Sequence, residues 1–234
     1  MEPVYRGCGG HDGGMTQIFD LSHEIKPGMF THPGLPGPEW EPFKTRQEYE
    51  QASGTTFQID RICMVGNTGT YLDSPYHRFA HGGDLASVSL RAVADVPVLL
   101  VEARGQRAIG VDIVAAALGD EDIAGMAVLL HTGGDSHWGG DAYAVDAPYV
   151  TADAADWLAQ RRPALVGIDA VNIDDLADLS RPVHTRLLGD DILILEHLTG
   201  LGAIPARGAK LHAAPLSWHG VGTWPVRAYA LVSD

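Results

Sequence analysis

The sequence predicts one α/β or α+β domain, and three observations carry that reading. Five short runs rich in Val, Ile and Leu recur along the chain, amphipathic stretches lie between them, and neither an internal repeat nor a polar low-complexity linker divides the 234 residues. With 45% hydrophobic and 20% charged side chains the chain can bury a real core.

The runs cover residues 98–101, 127–130, 164–168, 192–195 and 228–232, each ending near Gly, Pro or a charge. Strands covered on both faces need no polar alternation, so these runs read as buried strands. Residues 112–118 read as a helix closing at Gly119. A second helix starts at Thr151, whose hydroxyl suits an N-cap; Asp153 favours its first turn, Ala154, Trp157 and Leu158 share a face, and Arg161 and Arg162 suit its C-terminal end. Segment 27–42 carries Pro27, Pro33, Pro36, Pro38 and Pro42, which remove backbone donors, so an ordered loop or arm is expected there. Residues 1–15 read as a flexible leader and 16–234 as the domain.

Charge narrows the partners. Lys plus Arg number 16 against 30 Asp plus Glu, a net charge of -14 that repels phosphate backbones and anionic lipid, so neither nucleic acid nor a membrane is expected. No apolar run approaches the roughly 18 residues of a membrane span. Two cysteines, Cys8 and Cys63, are too few for a disulfide framework or a thiolate zinc site, which suits a reducing cytoplasm.

Two clusters hold chemistry. In Asn67-Thr68-Gly69-Thr70-Tyr71-Leu72-Asp73-Ser74-Pro75-Tyr76-His77, Gly and Pro shape a tight backbone while Asp73 and His77 supply an anion and a titratable ring, an acid/base or metal pattern. His184 follows a Pro-Val turn, and Glu196 ends the apolar run Ile-Leu-Ile-Leu, where a carboxylate needs a partner. The remaining histidines, His131, His137, His197, His212 and His219, read one by one as structural or surface groups, with a pocket-lining role as the rival. Trp40, Trp138, Trp218 and Trp224 are candidates for an aromatic wall, against plain core packing. Asp120-Glu121-Asp122 and Asp174-Asp175 read as solvated loop charges, and no Gly-x-Ser-x-Gly elbow supports a serine triad.

The segment ending at His77 resembles, without a gap, the motif His-x-Gly-Thr-His-x-Asp-x-Pro-x-His of the cyclase family, which includes bacterial kynurenine formamidases and isatin hydrolases. The resemblance continues in order through Asp20-Leu21-Ser22-His23, Thr132-Gly133, Gly167-Ile168-Asp169-Ala170, Pro182-Val183-His184, Leu195-Glu196-His197-Leu198-Thr199 and the closing Pro225-Val226-Arg227. It implies a mixed, barrel-like sheet flanked by helices, a homo-oligomer (dimer or tetramer) and a small-molecule substrate. It puts a metal carboxylate at Asp73, an acid/base histidine at His77, and distal ligands at His184 and Glu196.

Asn67 and Tyr71 stand where the family has its two motif histidines. A carboxamide oxygen is a weaker neutral donor than imidazole, and a phenol with pKa about 10 must lose its proton to bind a metal well. The expected site is therefore degenerate, holding either no metal or a single Zn or Mn ion on Asp73, His184 and Glu196. His77 is then the base, Tyr71 a phenolic acid and Asp73 or Glu196 the orienting anion, in an enzyme that closes, opens or dehydrates a ring of an aromatic or polyketide-like metabolite. Asn67, His131, Trp138, Trp218 and His219 are expected to line its pocket. The alternative is metal-dependent hydrolysis of an amide or lactone, and a catalytically silent ligand-binding relative is third.

Overall fold

The computed structural model describes residues 16–29 and 32–233; the expected leader at 1–15 lies outside them. In chain order the elements are β1 (Thr16–Asp20), β2 (Glu39–Lys44), α1 (Arg46–Ser53), β3 (Ile59–Cys63), β4 (Tyr71–Asp73) and β5 (Val96–Glu102). There follow β6 (Ala108–Ile109), α2 (Val111–Leu118), β7 (Ala127–His131), β8 (Tyr149–Val150), α3 (Ala152–Gln160) and β9 (Leu165–Ile168). The chain ends with α4 (Pro182–Gly189), β10 (Leu193–Glu196), β11 (Ala209–His212), β12 (Thr223–Pro225) and β13 (Tyr229–Ser233).

All five apolar runs are strands of one curled, half-barrel sheet in the order β1-β13-β11-β5-β7-β9-β10-β4-β12. The middle, β5-β7-β9-β10, is parallel, and the flanks are antiparallel. Parallel neighbours need crossovers, and α2, α3 and α4 supply them on one face. Val114 and Leu118 of α2, Leu158 of α3 and Leu187 of α4 pack there against Val101, Leu130 and Ile168 of the sheet. A second core fills the other face, where Leu72, Leu129, Leu195 and Leu211 meet Leu21 and Leu198.

Helix ends follow the sequence with one difference. Gly119 closes α2 at positive φ and donates its N–H to Ala115 O. Thr151 occupies the N-cap of α3, but its hydroxyl bonds Ile109 O and the Asp153 carboxylate rather than a helix N–H, because β8 and β6 pair beside it.

Segment 27–42 departs from expectation at its end: β2 begins at Glu39 and pairs antiparallel with β3. Pro42 is tolerated because a two-stranded ribbon has open edges where no N–H is required, and the register shifts between Pro42 and Lys44. Helix α1 joins the two strands, held by a Thr45–Glu48 capping box and closed by Gly54, and it buries none of its residues.

Candidate functional site

The register of three short strands assembles the floor of the site. Tyr71 lies opposite Glu196 across β4 and β10, and Asp73 lies opposite Thr223 across β4 and β12. Tyr71 and Asp73 are two residues apart and share a face of β4, while Leu72 points into the apolar core. Gly222 lets this happen, because a Cβ there would sit 2.4 Å from the backbone N of His77. His77 follows β4 in the short 3₁₀ turn Pro75–His77, and His184 projects from the first turn of α4.

The hydrogen bonds define each role. Tyr71 is fully buried, and its hydroxyl donates to Glu196 Oε2 at 2.5 Å. Glu196 Oε1 accepts the Ile173 N–H at 2.6 Å. Thr223 Oγ1 is 2.5 Å from Asp73 Oδ1 and 2.6 Å from His77 Nδ1. A hydroxyl has one proton and a carboxylate only accepts, so Thr223 donates to Asp73 and accepts from His77 Nδ1–H. In the neutral ring that tautomer puts the lone pair on His77 Nε2, the nitrogen that can accept a proton.

His184 is fixed in the same way. Its Nδ1 is 2.6 Å from Asp174 Oδ2, and Asp174 also accepts the backbone N–H groups of Val183 and His184 at 2.7 and 3.1 Å. Its Nε2 faces Asp73 Oδ2 at 3.6 Å and Glu196 Oε1 at 3.7 Å. Asp174 is thus no solvated loop charge; it is 2% exposed. The helix N-terminus and the imidazole together compensate its burial. The alternating apolar residues before it, Val171 and Ile173, were the signal that the segment is buried.

Burial and charge compete at every group. Burial pushes Asp73 up, but His77, His184 and Thr223 outweigh it and hold the carboxyl below its ordinary range. Burial and Asp73, opposed by His184, raise Glu196 to about 7. Burial works against charge on His184, yet Asp174, Asp73 and Glu196 raise it to about 10. Burial and the charges of Glu196 and Asp73 push the Tyr71 phenol well above its usual value, so its proton stays on the bond to Glu196.

These donors fit a divalent ion. Asp73 Oδ2 is buried without a hydrogen-bond partner, and one ligand-type atom of each of Asp73, His77 and His184 lies within 4.8 Å of the others. Carboxylate oxygen with imidazole nitrogen, the latter backed by a carboxylate on its far side, is a donor set for Zn or Mn. Asp73, His184 and either Glu196 or His77 would complete three protein ligands.

Above this floor opens a cavity of about 290 Å³, lined by Asn67, Tyr71, His77, His184, Glu196 and, at the rim, Arg78 and Arg181. Four expected pocket residues are elsewhere. His131 ends β7 against Glu102 at 3.1 Å, and Trp138 is stacked on His23 with ring centroids 3.9 Å apart. Trp218 pairs with Trp224 on the surface, and the side chain of His219 is 98% exposed beside Asp84. Each was placed by its neighbours in sequence, which say nothing about which end of the sheet a loop covers. His197 is structural as read: it is fully buried, hydrogen-bonded to Val171 O at 2.9 Å and packed on Tyr71 and Trp138. Thr223 carried no signal in sequence.

A family model described as "Putative cyclase" matches residues 19–175, which take in β4 and the Asp73–His77 turn. The chain belongs to the cyclase family. Among curated proteins, this cyclase-family chain is 28% identical over 200 residues to a kynurenine formamidase of Erythrobacter litoralis, covering 86% of this chain and 87% of that one. It is also 28% identical over 215 residues to a kynurenine formamidase of Geobacillus thermodenitrificans, covering 92% and 97%. In fold it matches isatin hydrolase A from Labrenzia aggregata, with a TM-score of 0.81, 23% identity and 94% of both chains covered. A structure described as a potential metal-dependent hydrolase with cyclase activity matches with a TM-score of 0.76 at 26% identity, over 94% of this chain and 99% of that one.

Proposed function

We propose that the protein is a metal-dependent hydrolase of a small amide or lactone, working with a single divalent ion. The observation that carries this is the buried, unpartnered Asp73 Oδ2 facing His184 Nε2, whose other nitrogen is locked by Asp174. The names of the relatives support the same reaction class, so it replaces the ring closure or dehydration expected from the altered motif. Tyr71 weighs against that expectation too, because its proton is held by Glu196 inside the floor.

A bound ion would polarise the substrate carbonyl and activate water. His77 Nε2 accepts the proton of the attacking water and later returns it to the departing nitrogen or oxygen. Thr223 and Asp73 hold the imidazole in the required tautomer and offset its positive charge while it carries that proton. Tyr71 and the Ile173 N–H hold the two Glu196 oxygens in place. Elemental analysis combined with hydrolysis of N-formylkynurenine and isatin tests the reading: one Zn or Mn per chain and turnover abolished by chelation are expected. Metal-free protein with chelator-insensitive activity overturns it.

We further infer that the chain acts as a homo-oligomer. The β2–β3 arm leaves Trp40, Phe43, Phe57, Ile59 and Ile62 exposed, and a two-stranded ribbon is marginal in water without an apolar face to cover.

A further inference from the structure

The charge around the cavity is out of keeping with the rest of the chain. Acids outnumber bases 30 to 16. Six arginines, Arg61, Arg104, Arg107, Arg186, Arg207 and Arg227, each pair with an Asp or Glu. Among the described residues Arg46, Arg91, Arg161 and Arg162 form no ion pair and do not line the cavity, and the two arginines that do line it form none either. Arg78 donates from Nε to Thr185 Oγ1 at 3.1 Å and from Nη2 to Ser180 O at 3.2 Å, and Arg181 donates from Nη1 to Asp175 O at 2.9 Å. Among the described residues no carboxylate forms an ion pair with either. Asp178, whose titration registers the charge of Arg181, spends its Oδ1 on Ser180.

The partners these guanidiniums do have are neutral, and they orient the forks without neutralising them. Nε and Nη2 of Arg181 and Nη1 of Arg78 remain for a ligand. The sequence also ties both to the reacting groups: Arg78 directly follows His77, and Arg181 stands three residues before His184. The one acid on the cavity lining, Glu196, is at the floor with both oxygens engaged. At about 290 Å³ the space is at the small end of ligand pockets.

We propose that the substrate is a small carboxylate-bearing molecule, its carboxylate held by Arg78 and Arg181 at the rim while its scissile amide or lactone carbonyl faces His77. This deepens the hydrolase reading of the same site, but the recognition can be measured without turnover. Calorimetric titration with benzoate and with benzamide, which differ only in charge at one group, is run on metal-loaded and on chelator-stripped protein. Benzoate binds at least about tenfold tighter than benzamide in both forms. Arg78→Gln and Arg181→Gln each shrink that ratio by about tenfold, as loss of a charge-assisted contact does, and Arg181→Lys restores part of it. Circular dichroism confirms that the variants are folded. Equal affinity for the two probes overturns the inference. So does a benzoate preference that survives both Gln variants and vanishes on stripping, because the carboxylate then sits on the metal.

Turnover separates this inference from the reaction class. Hydrolysis of 2-formamidobenzoate in preference to formanilide supports both. If neither is hydrolysed while benzoate still binds through the arginines, the reaction class falls and the carboxylate site stands.

Discussion

β10, β4 and β12 are short strands that take polar side chains out of water, whereas the longer β2 and β3 keep apolar ones in it. Asp73, Glu196 and Tyr71 are 0% exposed, and each is held by a named donor or acceptor from a neighbouring strand or turn. In the arm, Trp40 and Ile62 face each other across the ribbon at 43% and 62% exposure. Burying a carboxylate is costly unless donors or a metal compensate it, and exposing a ribbon of large apolar residues brings no gain within one chain. On the proposed readings the two regions do different work: chemistry inside the protomer for the first, and contact between protomers for the second.

The largest effect expected from breaking the site side of this contrast is at His77. A general base contributes roughly a hundredfold to ten-thousandfold, so His77→Ala lowers turnover by that order while circular dichroism stays unchanged, His77 being an exposed side chain. A loss of less than about tenfold would place the base elsewhere. Thr223→Val probes the relay: it removes the hydroxyl between Asp73 and His77 and lowers turnover while metal content is kept.

Asp174→Asn comes next. Carboxylates behind a metal-binding histidine are typically worth about tenfold to a hundredfold in metal affinity, and competition with a chelating dye measures this directly. Unchanged Zn affinity would mean that His184 is not a ligand.

How far the sequence reveals these regions follows from what each buries. Strands β7, β9 and β10 are legible because continuous burial leaves a continuous apolar signature, while β5 and β13 show through their apolar composition although β13 buries only Ala230. β4 has three residues, too few for any period; the residue types of Asp73 and His77 marked them as a pair, and the resemblance drew in Tyr71. Asp174 was misread because an acidic pair in a loop looks solvated until its partners, the N-terminus of α4 and His184, are brought to it by the fold. β2 and β3 were hidden by the prolines before them and by their lack of a buried face.

A roughly tenfold effect is expected from pH. As the third ligand Glu196 would bind as the carboxylate, and in the metal-free site its pKa is raised to about 7, so protons would compete with metal below that value. Glu196 therefore adds a rise in apparent Zn affinity of up to about tenfold per pH unit below 7 that levels off above it. This comes on top of the rise from the proton that His184, raised to about 10, would release throughout this range. The Tyr71 hydroxyl lowers the Glu196 pKa by donating to its carboxylate. Tyr71→Phe moves the Glu196 pKa up, and the Glu196 part of the affinity rise then extends to higher pH before it levels off. A rise that stays where it was in Tyr71→Phe would show that the phenol does not control Glu196.

The smallest effect on the protomer is expected in the arm, and there the expectation sharpens the comparison by what does not change. Ile62 is 62% exposed, so Ile62→Asp alters the stability of the isolated chain by no more than about 0.5 kcal/mol, the usual range for surface substitutions. In an assembly that covers the ribbon, the same substitution puts a charge opposite Trp40 in a desolvated contact and drives protomers apart. Sedimentation velocity reads the mass, and Zn titration reads the site. A fall in mass with Zn affinity retained assigns the arm to assembly. An unchanged mass above that of one chain moves the interface to another surface, and a wild-type chain that sediments as a monomer leaves the ribbon's exposed apolar side chains with no partner in a second copy.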